Sequence, residues 1–178
     1  MDRDGVINRP PIHRYITTWK EFRFIPGVLK ALRTLASHGW TVVVVSNQSG
    51  VGRGHLKRSQ LGRITRRMKQ AVRQSGGKIQ SVYYCIHRSE AGCACRKPKI
   101  GMLKKAAKKS SLDLTRSFVI GDQETDILMG RSAGCQTILV LSGKHRRIDV
   151  KGWSVRPGRI AKDLGEATRW ILDRNPAR

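Results

Sequence analysis

Five short stretches of this 178-residue chain carry groups able to do chemistry. Asp2-Arg3-Asp4-Gly5-Val6 sets two carboxylates two residues apart. In an extended segment residues i and i+2 share a face, so both can address one substrate, and Gly5 lets the backbone turn directly after them. Ser46-Asn47-Gln48-Ser49-Gly50 brings a hydroxyl and amides out of an apolar run, where they can donate hydrogen bonds to phosphoryl oxygens. Arg96-Lys97-Pro98 supplies two cations, one of them able to make a forked hydrogen bond to phosphate. Gly121-Asp122-Gln123-Glu124-Thr125-Asp126 clusters carboxylates, hard oxygen ligands suited to Mg²⁺, and part of it equally suits the acidic N-terminus of a helix. Cys85, His87, Cys93 and Cys95 follow the pattern C-x-H, five residues, C-x-C, which can close a tetrahedral zinc site over the loop 85–95. A closed site has no open position, so such a zinc would be structural.

The elements that must position these groups are legible as apolar runs. Thr41–Val45, Ile79–Cys85, Ser117–Ile120 and Thr137–Leu141 read as buried strands. They alternate with helical periodicity near Val28–His38, Arg58–Ser75, Gly101–Ser110 and Thr125–Ala133, and a last helix is expected over about Ala161–Arg174 with Leu164, Ala167, Trp170 and Ile171 on one face. This alternation predicts an α/β fold, a Rossmann-like parallel sheet with helices on both faces, whose sites gather at the carboxyl ends of the strands. Residues 1–178 suit a single domain, with Gly143–Gly158 a basic, loop-rich connection.

Composition narrows the class. No apolar run is long enough to cross a membrane and no secretory signal opens the chain, which predicts a cytoplasmic, monomeric protein. Cys135 stands apart from the other cysteines and reads as a buried thiol. The formal charge of +24, from 36 Lys and Arg against 12 Asp and Glu, attracts phosphorylated metabolites and polyanions generally, and non-specific polyanion binding is expected beside any small-molecule activity. Basic residues at helical spacing suit either a solvated face or nucleic acid.

Taken in order, the motifs at Asp2, Ser46, Lys97 and Asp122 resemble the four motifs of the haloacid dehalogenase (HAD) superfamily of phosphohydrolases, over roughly Met1–Gly143. Phe24-Ile25-Pro26-Gly27-Val28, Ser46–Gly54, Tyr83-Tyr84-Cys85 and the zinc loop are similar to the D,D-heptose 1,7-bisphosphate and histidinol-phosphatase group, and Asn47-Gln48-Ser49-Gly50-Val51 with Arg53-Gly54 leans to the heptose branch. Gln123 stands where that branch often has lysine. The resemblance implies a Mg²⁺-dependent phosphatase acting on a small phosphorylated sugar, with Asp2 the nucleophile and Asp4 the acid and base. It implies Asp2, the main-chain carbonyl of Asp4, and Asp122 as Mg²⁺ ligands, and Ser46 and Lys97 as stabilisers of the phosphoryl group. Substrate contacts would come from Asn47, Gln48, Arg96 and His13-Arg14-Tyr15. About fifty residues between Ser46 and Lys97 leave no room for an inserted cap, so a capless HAD fold is expected.

Three alternatives stand beside this expectation: a histidinol-phosphate phosphatase, a phosphatase or basic module acting on nucleic-acid ends, and an N-terminally truncated, inactive relative. The last arises because the family fold seats its nucleophile at the end of a central strand of about five apolar residues, whereas only Met1 precedes Asp2. The expectation is therefore a sheet lacking a strand between Thr41–Val45 and Ser117–Ile120, with the nucleophile on a frayed end and the true start upstream.

Overall fold

Apolar residues alternate to opposite sides along each strand, and the helices follow them. In the computed structural model, which describes residues 1–11, 15–143 and 147–174 (147–149 by backbone alone), Val44 of β1 (Val43–Asn47) and Ile120 of β3 (Phe118–Gly121) pack into one core. Their neighbours Val45 and Val119 pack into a second. The first core is closed by α1 (Val28–Ser37), α2 (Arg58–Gln74) and α5 (Leu164–Arg174), the second by α3 (Gly101–Ser110) and α4 (Glu124–Ser132). The period of two in a strand therefore yields helices on both faces.

All strand pairing is parallel. β1 pairs with β2 (Ser81–Cys85), with Ser46 opposite Tyr84, and β3 pairs with β4 (Gln136–Val140), which pairs in turn with β5 (Arg159–Ala161). The expected runs sit within two residues of the observed strands, with one consequence: Ser46 and Asn47 are the last residues of β1 rather than the first of a turn. The three-residue β5 occupies part of the stretch expected to be loop and helix, so α5 starts at Leu164 rather than Ala161. Three residues are too few to show a period. Trp170 does lie on the buried side of α5, meeting Phe118 edge-on at a centroid distance of 6.0 Å, and Phe118 meets Trp40.

The two ladders, β1–β2 and β3–β4–β5, do not bond to each other. Met1 and Asp2 stitch them: Met1 N donates to Val43 O at 2.8 Å, Met1 O accepts from Val45 N at 2.9 Å, and Asp2 N donates to Ile120 O at 2.9 Å. These bonds correct the expectation of a frayed nucleophile, since Asp2 is only 4% exposed. Met1 also borders an apolar cavity of about 100 Å³ between the ladders, lined by Val43, Trp40, Leu103, Phe118 and Ile171.

Five apolar residues fused ahead of Met1 would continue its pairing into that cavity. Burial of their side chains at about 1.5–3 kcal/mol each, less the cost of ordering the segment, leaves a net gain on the order of 2 kcal/mol. The thermal midpoint is expected to rise by about 4–8 °C in scanning calorimetry. An unchanged midpoint would show that the cleft does not accept a strand.

Candidate active site

The carboxyl ends of β1 and β3 bring the predicted residues together. Asp2, carried by the stitching segment, points at the amino group of Lys97, whose Nζ lies 3.0 Å from Asp2 Oδ1 and 2.6 Å from Asp126 Oδ1. It also donates to Val45 O at 3.4 Å. Burial alone would depress this ammonium, but Asp126 and Asp2 outweigh it and hold Lys97 above the ordinary lysine range. The side chain reaches this point because its backbone is clamped: Lys97 N donates to Asn47 Oδ1 at 3.1 Å and Asn47 Nδ2 donates back to Lys97 O at 3.3 Å. A residue fifty positions away is thus tied to the end of β1 by one amide side chain.

Asp4 occupies a different environment. Arg3, buried and lying 5.8 Å from the Tyr84 ring centroid, grips it through Nε at 3.1 Å and through a second nitrogen at 2.8 and 2.9 Å. Asn8 Nδ2 donates to it at 2.8 Å and Gln48 Nε2 at 2.7 Å. Burial works to raise this carboxyl, yet Arg3, Asn8 and Gln48 hold it below the usual carboxylate range. Gln48 also donates to Ser46 Oγ at 3.2 Å, and its own N–H donates to Cys85 O at 2.7 Å, so one side chain joins the β1 hydroxyl, the Asp4 carboxylate and the end of β2. Gly5, at φ +83°, makes the turn after Asp4, and a methyl there would collide with the Asp122 carboxylate; one at Gly143 would too. Asp122 is therefore cradled between two backbone segments that come close only because both are glycine.

Carboxylate oxygens of Asp2, Asp122 and Asp126, all buried, lie within 4.8 Å of one another. That spread fits a hard, octahedral cation with ligand distances of about 2.1 Å, whose opposed ligands are about 4 Å apart. Asp126 has other work. One oxygen faces Lys97, and the other accepts from Gln123 N at 3.2 Å in the capping box that opens α4. Asp2 and Asp122 are the other two carboxylates of this group. Gln123, which stands in place of a lysine, serves as the α4 N-cap residue.

The second cluster fits zinc by its edges. Cys85 Sγ is 3.6 Å from Cys93 Sγ and 3.8 Å from His87 Nδ1, Cys93 and Cys95 sulfurs are 3.5 Å apart, and His87 Nδ1 is 3.3 Å from Cys95 Sγ. A tetrahedron with Zn–S of about 2.3 Å and Zn–N of about 2.0–2.1 Å has S···S edges near 3.8 Å and S···N edges near 3.5 Å. The loop bearing it is bound to the loop after β1, with Gly52 N donating to Ile86 O at 2.9 Å and Arg88 Nε to Gly52 O at 2.8 Å. Among the described residues the Arg96 side chain donates to the His87 carbonyl, at 3.5 Å, and it is half-exposed.

Of the remaining predicted contacts, Tyr15 lies over the β1 loop, its hydroxyl 3.4 Å from Ser49 Oγ and its ring stacked on His55 at 5.5 Å. His13 and Arg14 lie outside the described residues. Sequence reasoning left Arg3, Asn8 and Asp126 without roles. Asn8 and Asp126 each follow an acidic site residue by four positions, a spacing that could have marked them.

Comparisons with known proteins give the family. A family model described as "HAD-hyrolase-like" matches residues 94–167. The D-glycero-beta-D-manno-heptose-1,7-bisphosphate 7-phosphatase of Pseudomonas putida is 39% identical over 152 residues, covering 85% of this chain and 86% of that protein. The crystal structure of D,D-heptose 1,7-bisphosphate phosphatase from Bordetella bronchiseptica, complexed with magnesium and phosphate, matches with a TM-score of 0.91 at 34% identity over 97% of this chain and 96% of that one. The corresponding Burkholderia thailandensis structure matches with a TM-score of 0.72 at 30% identity, over 96% and 95% of the two chains. With identity above 30% across most of both lengths, this chain belongs to the D-glycero-D-manno-heptose-1,7-bisphosphate 7-phosphatase family of HAD-like hydrolases.

Proposed function

We propose that the chain, acting as a single domain, removes the 7-phosphate of D-glycero-D-manno-heptose 1,7-bisphosphate through an aspartyl-phosphate on Asp2, with Mg²⁺ as catalytic cofactor and a structural Zn²⁺ held by Cys85, His87, Cys93 and Cys95. The observation that carries the reading is the buried Asp2 carboxylate, fixed between the two ladders, paired with Lys97 at 3.0 Å and grouped with Asp122. Its substrate comes from the names of relatives 39% identical over most of the chain.

Asp2, the Asp4 carbonyl and Asp122 would hold the Mg²⁺, whose charge would offset the repulsion between a carboxylate and a phosphate dianion. Asp2 attacks phosphorus in line with the leaving sugar oxygen, and water then attacks the aspartyl-phosphate. Ser46 Oγ accepts from Gln48, which leaves its own hydrogen free to donate to a phosphoryl oxygen, and the Lys97 ammonium supplies positive charge there. Asp4, held as a carboxylate by Arg3, Asn8 and Gln48, is in the state that takes a proton from the incoming water. To give a proton to the leaving oxygen in the first step, Asp4 must first take one up from solvent, which the grip of Arg3, Asn8 and Gln48 opposes until substrate displaces it. Arg96 and Tyr15 would contact the sugar and its second phosphate, whereas the Asn47 and Gln48 amides are engaged with Lys97 and with Asp4 and Ser46 and would hold the site's shape.

Phosphate release measured with Mg²⁺ over heptose 1,7-bisphosphate, histidinol phosphate and a 3′-phosphorylated oligonucleotide tests this reading. The heptose bisphosphate is expected to show the highest kcat/KM by at least about 100-fold, equivalent to roughly 3 kcal/mol of differential transition-state binding. Preference for either other substrate would overturn it.

A further inference from the structure

Between Glu21 and Glu90 the chain contains no acidic residue. This acid-free stretch forms α1, β1, α2 and all of β2, and its cations concentrate on α2: Arg58, Arg63, Arg66, Arg67, Lys69 and Arg73. The buried side of α2 is Leu61, Ile64, Met68 and Val72, so the six cations occupy the remainder of the helix surface. At 100° per residue Arg66, Lys69 and Arg73 fall within an arc of about 60°. That edge faces a groove of about 860 Å³, walled by Arg66, Lys69, Arg73 and Lys78 and floored by Gly76, Gly77 and Gln80. The turn at Gly76 (φ +82°) folds Lys78 back toward the helix, and Lys69 Nζ reaches Gln80 O at 3.3 Å from the helix side.

The groove lies at the amino ends of β1 and β2, whereas the catalytic residues lie at the carboxyl ends. Five residues of strand, about 16 Å, separate them. A polyanion there would leave the phosphatase pocket open. We infer that this α2–β2 groove is a binding surface for double-stranded nucleic acid, read by its phosphates and not by its sequence.

Three features select that ligand. The run from Arg66 to Arg73 spans about 10 Å of helix, the axial length of about three phosphates on one strand. No aromatic side chain lines the groove, so the stacking that single strands require is absent. The exposed residues between the cations are Gln70, Gln74, Gly76 and Gln80, with no exposed Leu, Phe or Trp to enter a bilayer. α3 supplies an internal contrast: Lys104, Lys105, Lys108 and Lys109 give it four exposed cations without a groove or an arginine.

The test compares two variants of equal charge, Arg66→Gln/Lys69→Gln/Arg73→Gln/Lys78→Gln and a control carrying Gln at the four α3 lysines. Each is titrated with a 20-base-pair duplex of arbitrary sequence between about 50 and 200 mM salt by fluorescence anisotropy. The unaltered protein is expected to show a log Kd against log salt slope near 3–4, corresponding to about four phosphates neutralised. The α2–β2 variant should lose at least about 10-fold in affinity and most of that slope, and the control less than about 3-fold. Both should keep the thermal midpoint and phosphatase kcat/KM of the parent, because none of these residues touches the catalytic site. Equal losses in the two variants would reduce the effect to net charge and overturn the inference. So would tighter binding to single strands or to phosphatidylglycerol vesicles than to the duplex, or displacement of the duplex by a sugar bisphosphate.

Discussion

Asp2→Asn is expected to lower phosphate release by about 10⁴-fold or more while leaving the fold intact. The reasoning is one of geometry as much as chemistry. Asparagine has the shape of aspartate, so its oxygen can still accept from Arg3 N, a bond of 2.7 Å in the unaltered protein. Its backbone keeps the bond to Ile120 O that ties the segment to β3. Lys97 loses one carboxylate but retains Asp126 at 2.6 Å, so the buried ammonium is not orphaned. What disappears is the nucleophile, and loss of a group that forms the covalent intermediate costs far more than loss of one that only stabilises charge. Lys97→Met removes only such a stabiliser and should cost about 10²–10³-fold, with destabilisation added because Asp2 and Asp126 are then buried without their cation. Initial rates of phosphate release, with circular dichroism to verify folding, separate the two. If the Asp2→Asn protein kept more than about 1% of activity, the nucleophile would be elsewhere.

Much of this site was legible because its groups come in short runs at strand ends. Ser46 and Asp122 each follow an apolar run that reveals its end of the sheet, and the structure brings Asp122 together with Asp2 and Lys97 and joins Ser46 to Asp4 through Gln48. The metal loop was legible by the spacing of its four ligands alone. Two parts were not. Asp126 looks from sequence like an ordinary acidic residue in the first turn of a helix, and it does fill that role through Gln123 N. Its contact with Lys97 crosses 29 residues and exists only once β1, β3 and the loop after Cys95 are assembled. Asp4 was read as an acid and base from its motif, but its protonation state depends on Arg3, whose burial against Tyr84 no local pattern announces. The short stitch made by Met1 and Asp2 is hidden for the same reason, since two residues carry no period.

The largest structural effect should follow removal of zinc, and the clamp on Lys97 determines what that does to catalysis. The loop that zinc would close runs directly into Arg96 and Lys97. In the structure Lys97 is secured independently, by the reciprocal bonds to Asn47 and by Asp126 and Asp2, whereas Arg96 makes one long bond to a carbonyl of the metal loop itself. Stripping the metal leaves three thiols and an imidazole crowded within 4.8 Å and frees the loop from Ile86 to Arg96. Structural zinc in small domains contributes about 10 kcal/mol or more, but this loop also packs on the body through Gly52 and the second core, so a loss of about 3–5 kcal/mol is expected. That corresponds to a fall of about 6–20 °C in thermal midpoint. Cys93→Ser, or chelation followed by restoring Mg²⁺ alone, should produce it, and adding Zn²⁺ back to the chelated protein should reverse it. Below the new midpoint the expected kinetic signature is a KM raised by about 10-fold or more, from the unanchored Arg96, with kcat lowered only a few-fold. A collapse of kcat with KM unchanged would mean that Lys97 depends on the metal after all, and that the Asn47 clamp does not hold it alone.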